Sequence, residues 1–300
     1  MPLDAASQFV NDLVVGGRGD QPSPSDPVTL REAWRTMFAA LPALEMTSEL
    51  RELEVAGCPA LLLTPSTPTD SLLVWLHGGG WVIGAPDLSL GETDALATLA
   101  NTKVLSIDYR MAPEHPFPAA YDDSIAAVQW AIDHAAELGI DTQRIFVGGD
   151  SAGGNLAAAV AQHFGAKLRG QLLVYPAVDL TRTSRAATEY AEGYLLNAAT
   201  MNWFAEQYLG TTDRRDPRIS PMLADDAVFA SVAPAHVVIA EYDPLRDDGF
   251  DYANKLRQHG VAVTVDHHAD QMHGFFSLPT VLPGAQKAIA TAAEFIKSQS

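Results

Sequence analysis

Short apolar runs that alternate with helical patterns are the feature that most restricts how this 300-residue chain can fold. Eight runs of four to six residues have the apolar or alternating pattern of β-strands. They lie at 51–56, 60–63, 71–76, 103–108, 144–148, 170–175, 235–240 and 261–266. Helical patterns separate the later runs. Because parallel strands need long crossovers, this order predicts an α/β fold: a mostly parallel eight-stranded sheet with helices on both faces.

Two segments, about 1–45 and 181–230, interrupt this alternation and contain amphipathic helical patterns without a strand. We interpret them as a two-part helical cap on a single domain that spans residues 1–300. With 47% apolar residues, the chain has enough material for one full core.

The stretch GGDSAGGN at 148–155 places glycines around a single serine. Gly149, Ser151 and Gly153 form a G-x-S-x-G between a predicted strand that ends near 148 and a predicted helix over 155–164. Where a strand turns directly into a helix, side chains two positions before and after the turn would clash. The glycines remove those atoms, so the pattern predicts that Ser151 Oγ projects at the carboxyl edge of the sheet.

A serine nucleophile needs a base and a group that orients the base. Asp243 follows the buried run 235–240, which places it on the same sheet edge as Ser151. Asp247, Asp248 and Asp251 are alternatives, but they fall at the start of the next helix, where acidic residues commonly complement the helix dipole.

Three histidines, His267, His268 and His273, are candidates for the base. His267 and His268 continue a predicted strand, where one would face solvent and the other would pack. His273 lies in the following loop beside Gly274, before the last helix. We predict His273 as the base, which gives the chain order Ser, Asp, His that is typical of α/β-hydrolases.

Consecutive glycines follow the run 71–76, in HGGGW at 77–81. Such a loop can turn backbone N–H groups toward the negative oxygen of a tetrahedral intermediate. We predict an oxyanion hole from the amides of Gly79, Gly80 and Ala152. The neighbouring residues of the two motifs are expected to support this geometry: His77, Gly78, Gly149, Asp150 and Gly153. A dinucleotide-binding loop is excluded because Ile83 stands where its third glycine is required.

Composition limits the function further. A formal charge of −18 makes nucleic acids and anionic membrane surfaces unfavourable partners. A single cysteine, Cys58, excludes an internal disulfide and a multi-cysteine zinc site, and no His-Glu-x-x-His pattern occurs. The N-terminal residues lack the pattern of an export signal, and no run is long enough to span a bilayer. We expect a cytoplasmic protein without a metal or cofactor.

Five motifs together resemble the hormone-sensitive-lipase-like family of bacterial carboxylesterases, which have the α/β-hydrolase fold. They are HGGGW at 77–81, YRMAPEHPFPAA at 109–120, GDSAGGN at 149–155, DPLRDDG at 243–249 and HGF at 273–275. The resemblance covers nearly the whole chain, including the two-part cap. It implies hydrolysis of carboxylic esters with short to medium acyl chains by Ser151, Asp243 and His273.

Departures from the family pattern are small. Met111 replaces a usual leucine, and the pair at 269–270 precedes the histidine loop where small residues or Pro are common. Both affect the rim of the site. Glu114 and His115 are interpreted as structural supports without direct chemistry.

Substrate choice is assigned to the cap and the oxyanion loop. The candidate pocket residues are Trp81, Tyr194, Leu195, Met201, Trp203 and Phe204. They favour a small-molecule ester that is uncharged and fairly apolar. A lactonase, amidase or peptidase would have the same motifs. A ligand-binding receptor on a disabled hydrolase, as in the related plant gibberellin receptors, typically lacks the base, which is present here. Homodimers are frequent in the family, so a homodimer is possible.

Overall fold

The computed structural model describes residues 1–18, 26–67 and 69–299. Its strands are β1 (Glu49–Val55), β2 (Cys58–Thr64), β3 (Leu72–Leu76), β4 (Lys103–Ile107), β5 (Ile145–Asp150), β6 (Gly170–Val174), β7 (Ala235–Tyr242) and β8 (Val263–Met272). They form one sheet in the order β1-β2-β4-β3-β5-β6-β7-β8. The pairs β1–β2 and β2–β4 are antiparallel and all others are parallel. The predicted fold class is confirmed.

Helices connect and cover the strands. The α-helices are α1 (Ala5–Arg18), α2 (Pro27–Ala39), α3 (Leu90–Ala100), α4 (Ala119–Asp133), α5 (Ala135–Leu138), α6 (Ala152–Phe164), α7 (Ala186–Glu189), α8 (Ala198–Leu209), α9 (Asp226–Phe229), α10 (Arg246–Gln258) and α11 (Pro283–Gln299). Short 3₁₀ helices lie at Pro86–Ser89, Thr142–Arg144, Gly165–Lys167, Pro221–Leu223 and Phe275–Ser277.

The core lies on both faces of the sheet. Successive side chains of a strand point to opposite faces, so Leu72, Val74 and Leu76 of β3 pack on one side while Leu73 and Trp75 pack on the other. The first face is covered by α4, α6 and α10, and the second by α3 and α11. All five β3 side chains are buried, which explains why the central strands read as continuous apolar runs.

Strand β8 is longer than the apolar run at 261–266 predicts. It begins at Val263 and continues to Met272, pairing with β7 along most of its length. An edge strand has one neighbour and can leave side chains in water, so its polar second half does not interrupt the backbone ladder. The pair β7–β8 therefore ends close to His273 and delivers it to the carboxyl edge.

The N-terminal cap helices are placed by local sequence signals. Asp26 is the N-cap of α2: its side chain accepts hydrogen bonds from the N–H groups of Val28 and Thr29, and Pro27 is the first helical residue. Residues 19–25 of the first predicted cap segment lie outside the described residues.

The second predicted cap segment, 181–230, is divided in the structure. Its first part contains α7 and α8. Its last part, from Ile219, packs on the body of the fold, where Asn155 Nδ2 of α6 donates to Ile219 O at 2.7 Å. Residues 181–219 form an excursion from the fold, and the chain just before it is bonded to the chain just after it. Leu180 N donates to Ser220 Oγ at 2.9 Å, and Met222 N donates to Val178 O at 3.0 Å.

Candidate active site

Ser151 occupies the turn between the last residue of β5 and the first residue of α6, with φ +55° and ψ −114°. The glycines around it are required by close backbone contacts. A Cβ on Gly149 would lie 2.5 Å from the carbonyl carbon of Gly153, and a Cβ on Gly153 would lie 1.8 Å from Leu76 O in β3. The turn therefore needs glycine on both sides, for the neighbouring strand as well as for the helix.

The structure brings Ser151, His273 and Asp243 together. His273 Nε2 lies 2.9 Å from Ser151 Oγ, and its Nδ1 lies 2.7 Å from Asp243 Oδ2. Asp243 is fully buried, and its Oδ1 accepts a hydrogen bond from Leu245 N at 2.7 Å. The ring of Tyr175 packs 4.5 Å from the imidazole, centroid to centroid. A buried carboxylate at Nδ1 favours the tautomer that leaves Nε2 free to accept a proton from the serine.

The alternative carboxylates point elsewhere. Asp247 Oδ2 accepts a hydrogen bond from Ala186 N at the start of α7, at 2.8 Å. Asp248 Oδ2 accepts one from Asp179 N at 3.1 Å. Asp251 is exposed. Asp247 thus holds the second predicted cap segment against α10, Asp248 holds the loop that precedes that segment, and neither is bonded to the imidazole.

The alternative histidines lie within β8. His267 Nε2 is 2.9 Å from Glu241 Oε2, and His268 Nε2 is 3.0 Å from Asp266 Oδ2. The His268 ring also packs against Phe275, with centroids 5.0 Å apart. The predicted division between an exposed and a packed histidine matches these positions, and neither imidazole contacts the serine.

The loop of three glycines has the backbone conformation expected of an oxyanion hole. Gly79 (φ +115°) and Gly80 (φ +61°) are in the left-handed region, and a Cβ on Gly80 would lie 2.2 Å from Cγ of Phe204. Within the described residues, the N–H groups of Gly79 and Gly80 have no hydrogen-bond acceptor. As the first residue of α6, Ala152 also has an N–H without an intrahelical partner. All three residues line the pocket that contains Ser151.

Asp150 joins this loop to the nucleophile strand. Its Oδ1 accepts a hydrogen bond from Gly78 N at 2.7 Å, and Ser277 Oγ lies 3.4 Å from its Oδ2. Burial raises the pKa of Asp150 to about 6, opposed by the Gly78 hydrogen bond and the nearby His273. The carboxylate is therefore a buried link between the two predicted motifs.

His77 supports the loop from below. Its ring stacks on Tyr109 with centroids 4.3 Å apart, and its Nδ1 lies 2.8 Å from Gly78 O. Tyr109 OH donates to His77 O at 2.7 Å. Burial lowers the pKa of His77 to about 4, so the imidazole is neutral at physiological pH.

Sequence reasoning missed Glu92, a buried carboxyl close to Asp150. It lies in the first turn of α3 and is 1% exposed. Burial, followed by the charge of Asp150, raises the pKa of Glu92 to about 8. An acidic residue in a first helical turn is normally a surface residue, so no local signal distinguishes this one.

Glu114 supports the cap. Both its carboxylate oxygens accept hydrogen bonds from Arg31 of α2 at 2.7 Å, and Arg31 also donates to the carbonyls of Val82 and Ala112. The Arg31 hydrogen bond lowers the pKa of Glu114 to about 2. His115 is exposed. Arg31 thus ties the first predicted cap segment to Val82, just after the glycine loop, and Glu114 holds the Arg31 side chain in place.

A cavity of about 1070 Å³ opens above Ser151 and His273. Its wall is mostly apolar and comes from α1, α2, the oxyanion loop, the loop between α7 and α8, and α8 itself. It includes Val15, Leu30, Trp34, Met37, Phe38, Trp81, Ile83, Tyr194, Leu195, Met201 and Phe204.

Trp203, expected in this wall, lies outside it. On α8, Met201 and Phe204 are three residues apart and share a face, whereas Trp203 is rotated by about 100° from Phe204. Its ring packs beside Phe204, with centroids 5.4 Å apart, and against the core.

Within residues 1–18, 26–67 and 69–299, no group of three or more His, Cys, Asp or Glu side chains could hold a metal ion. No helix in the same ranges has the length and apolar character needed to cross a membrane. The buried Cys58 has its pKa raised to about 12, chiefly by burial, and is a free thiol.

Comparison with known proteins agrees with this architecture. A family model described as the alpha/beta hydrolase fold matches residues 73–277. The carboxylic ester hydrolase LipN of Mycobacterium tuberculosis is 41% identical over 276 residues, which cover 84% of this chain and 71% of the relative. The ethyl acetate hydrolase of Pseudomonas putida is 38% identical over 231 residues, covering 75% of this chain and 72% of the relative.

Solved structures give the same result over the full length. The crystal structure of an alpha/beta hydrolase enzyme from the metagenome of Lake Arreo, Spain, superposes with a TM-score of 0.92 at 36% identity, covering 99% of this chain and 98% of that chain. A thermostable esterase from Pseudomonas putida superposes with a TM-score of 0.93 at 28% identity, covering 99% and 98%. The chain belongs to the alpha/beta hydrolase fold family, and the resemblance to the hormone-sensitive-lipase-like carboxylesterases is confirmed.

Proposed function

We propose that this protein hydrolyses carboxylic esters with short to medium acyl chains, using Ser151, His273 and Asp243 through an acyl-enzyme intermediate. By family it is a carboxylic ester hydrolase. The single observation that carries the finer proposal is the hydrogen-bonded series from Asp243 Oδ2 through the imidazole to Ser151 Oγ, with contacts of 2.7 and 2.9 Å.

Acylation begins when Ser151 Oγ attacks the ester carbonyl carbon and His273 Nε2 accepts the serine proton. The carbonyl electrons move to oxygen, and the N–H groups of Gly79, Gly80 and Ala152 are aimed to stabilise that oxyanion. When the tetrahedral intermediate collapses, the imidazolium gives its proton to the departing alcohol. Water then attacks the acyl-enzyme by the same sequence and releases the acid.

Asp243 keeps the base in the productive orientation. Its buried carboxylate faces Nδ1 of His273 and stabilises the positive charge that the ring acquires during each half-reaction. The second oxygen is held by Leu245 N, so the carboxylate cannot rotate without losing a hydrogen bond. The carboxylate therefore acts through the imidazole and does not touch the substrate.

Substrate size is proposed from the cavity. A volume of about 1070 Å³ with mostly apolar walls accommodates an ester of moderate length. Measuring kcat/KM for p-nitrophenyl esters from acetyl to palmitoyl tests this proposal. The expected maximum lies between two and about eight acyl carbons, and a maximum at palmitoyl would contradict it.

Ser151→Ala tests the mechanism. The variant should lose ester hydrolysis by about four orders of magnitude or more and lose covalent labelling by a fluorophosphonate. Ser89→Ala is the matched control, because Ser89 is a buried serine of the same cavity wall that has the Glu92 carboxyl beside it and no imidazole. It should remain labelled and active. Ordinary turnover by Ser151→Ala would refute the assignment. Assays with amide and lactone substrates would show whether the enzyme is an amidase or a lactonase.

A further inference from the structure

Arg182 is the one arginine or lysine in the described wall of the ester cavity. It follows β6 by a short loop that starts close to the nucleophile, since Ala177 N lies 3.3 Å from Ser151 O. Its backbone has φ +55°, a left-handed conformation that is uncommon for a residue with a side chain. Its Nη2 donates to Met201 O of α8 at 2.9 Å, so the side chain reaches the substrate-facing part of the cap.

Arg182 forms no direct ion pair with a carboxylate in the described part of the chain. Its Nε and Nη1 are buried and have no acceptor there, and its one hydrogen bond is to a neutral carbonyl. Burial, followed by the charge of Arg214, lowers its pKa to about 10, with Asp248 opposing the shift. Burial also raises the pKa of Asp248 well above its usual value, while Arg182 opposes that shift. A guanidinium with that pKa is still charged at neutral pH.

An uncompensated guanidinium beside an apolar cavity is costly unless a ligand neutralises it. The other charged groups of the described wall do not do so. Asp150 is engaged with Gly78, and Glu192 is exposed. Because Arg182 lines the cavity, a substrate carboxylate bound there would supply the missing negative charge.

We propose that Arg182 is a specificity-determining residue that selects esters carrying a carboxylate on the acyl or the alcohol arm, remote from the scissile bond. This inference rests on the proposed function and narrows its substrate class to half-esters of dicarboxylic acids and acyl esters of hydroxy acids. The apolar wall receives the hydrocarbon between the two groups, and Arg182 receives the charge.

Two substrate series test the proposal. The first pairs monoethyl esters of succinic, glutaric and adipic acid with ethyl esters of unbranched acids of matching length. The second pairs acetyl esters of ω-hydroxy acids with alkyl acetates. For each pair, the ratio of kcat/KM for the charged ester to that for the neutral ester is measured for the wild type, Arg182→Met and Arg182→Lys.

Arg182→Met should lower this ratio by about 10- to 100-fold in at least one series, the effect expected for losing hydrogen bonds to a charged group. Because both esters of a pair are measured with the same variant, a general loss of activity cancels in the ratio. Arg182→Lys keeps the charge and should retain most of the ratio, which separates lost recognition from damage to the fold. An unchanged ratio in both series would overturn the proposal.

Arg214→Met is the matched control. Arg214 donates to Leu180 O near the same loop but is absent from the cavity wall, so its removal should change the ratio by less than about threefold. An equal effect of Arg214→Met would mean that the preference arises from the total positive charge near this loop, which would overturn the specific role of Arg182. If the wild type hydrolyses no neutral ester and is not labelled by the fluorophosphonate, the proposed function is wrong. If it hydrolyses neutral esters but the ratio is the same in the Arg182 variants, only this inference is wrong.

Discussion

The N–H of Gly78 donates to Asp150 Oδ1 at 2.7 Å, so the glycine loop and the residue before Ser151 are joined by one hydrogen bond. A Cβ on Gly78 would lie 2.2 Å from Asp150 Oδ2, which shows how closely the two segments approach. The positions of the next two glycines thus depend on the carboxylate of Asp150.

Replacing Asp150 should reduce catalysis more than binding. In Asp150→Ala the Gly78 N–H loses its acceptor, and we expect kcat to fall by about 10- to 100-fold with little change in KM. Asp150→Asn keeps an acceptor oxygen and should recover part of the loss. Steady-state kinetics with a short p-nitrophenyl ester measures both. Equal kcat for the alanine and asparagine variants would contradict a role for this hydrogen bond.

Glu92 should make the stability of the protein depend on pH. Its pKa is about 8 in the fold and 4.5 in the reference state, so its contribution is fully favourable below about pH 4.5 and is lost as pH rises toward 8. Glu92→Gln removes this loss. The Tm of the variant relative to that of the wild type should therefore increase from pH 5 to pH 8.5. Over the same range, the difference in unfolding free energy between the two proteins should grow by on the order of a few kcal/mol.

Thermal melts across that range provide the measurement. Glu52→Gln is the control, since Glu52 is an exposed residue of β1. Its Tm difference should stay nearly constant with pH. A constant difference for Glu92→Gln as well would mean that its carboxyl is not held protonated by burial.

The nucleophile turn should tolerate no added methyl group. Gly153→Ala places a Cβ 1.8 Å from Leu76 O, a backbone atom that cannot move without shifting β3. We expect a loss of about 3 kcal/mol or more in the free energy of unfolding, or an insoluble protein. Gly16→Ala meets open space in α1 and should be neutral or stabilising by up to about 1 kcal/mol. Urea unfolding of both variants tests the contrast.

Arg246 should contribute to stability through the cap. It pairs with Glu241 at 2.7 Å, Asp247 at 2.9 Å and Glu189 of α7 at 3.5 Å, and its side chain is 14% exposed. Arg246→Met should cost about 1–3 kcal/mol, because the partly buried carboxylates lose charged hydrogen bonds. Arg35→Met breaks a pair whose arginine is 55% exposed and should cost less than about 0.5 kcal/mol. Similar losses in urea unfolding would show that burial of the pair is unimportant.

The central fold was predictable because its determinants are local. Runs such as 71–76 and 170–175 are buried on both faces, so most of their residues are apolar and the strand is visible without knowledge of its neighbours. The G-x-S-x-G turn is equally local, since its glycines are required by contacts with residues a few positions away and with one adjacent strand. Chain order then placed Asp243 and His273 on the same edge.

Features that depend on tertiary contacts were not predictable. The strand was predicted as far as His268, whereas β8 continues to Met272, which pairs with Tyr242 of β7. Glu92 is buried because α3 packs against the sheet and α11, and the residues around Glu92 in the sequence do not indicate this packing. Arg182 follows a strand in a turn-rich segment, where a solvated arginine is the usual outcome. Trp203 differs from Phe204 only by one step around α8, and helix phase is set by packing.

The hydrogen bonds between Leu180 and Ser220 and between Val178 and Met222 close the stem of the cap excursion at its base. The segment between these two pairs of residues therefore begins and ends at nearly the same point of the molecule. The segment contains none of Ser151, Asp243 and His273, so it can be exchanged as one cassette without changing those positions. Substrate range in this scaffold is thus open to redesign by transplantation.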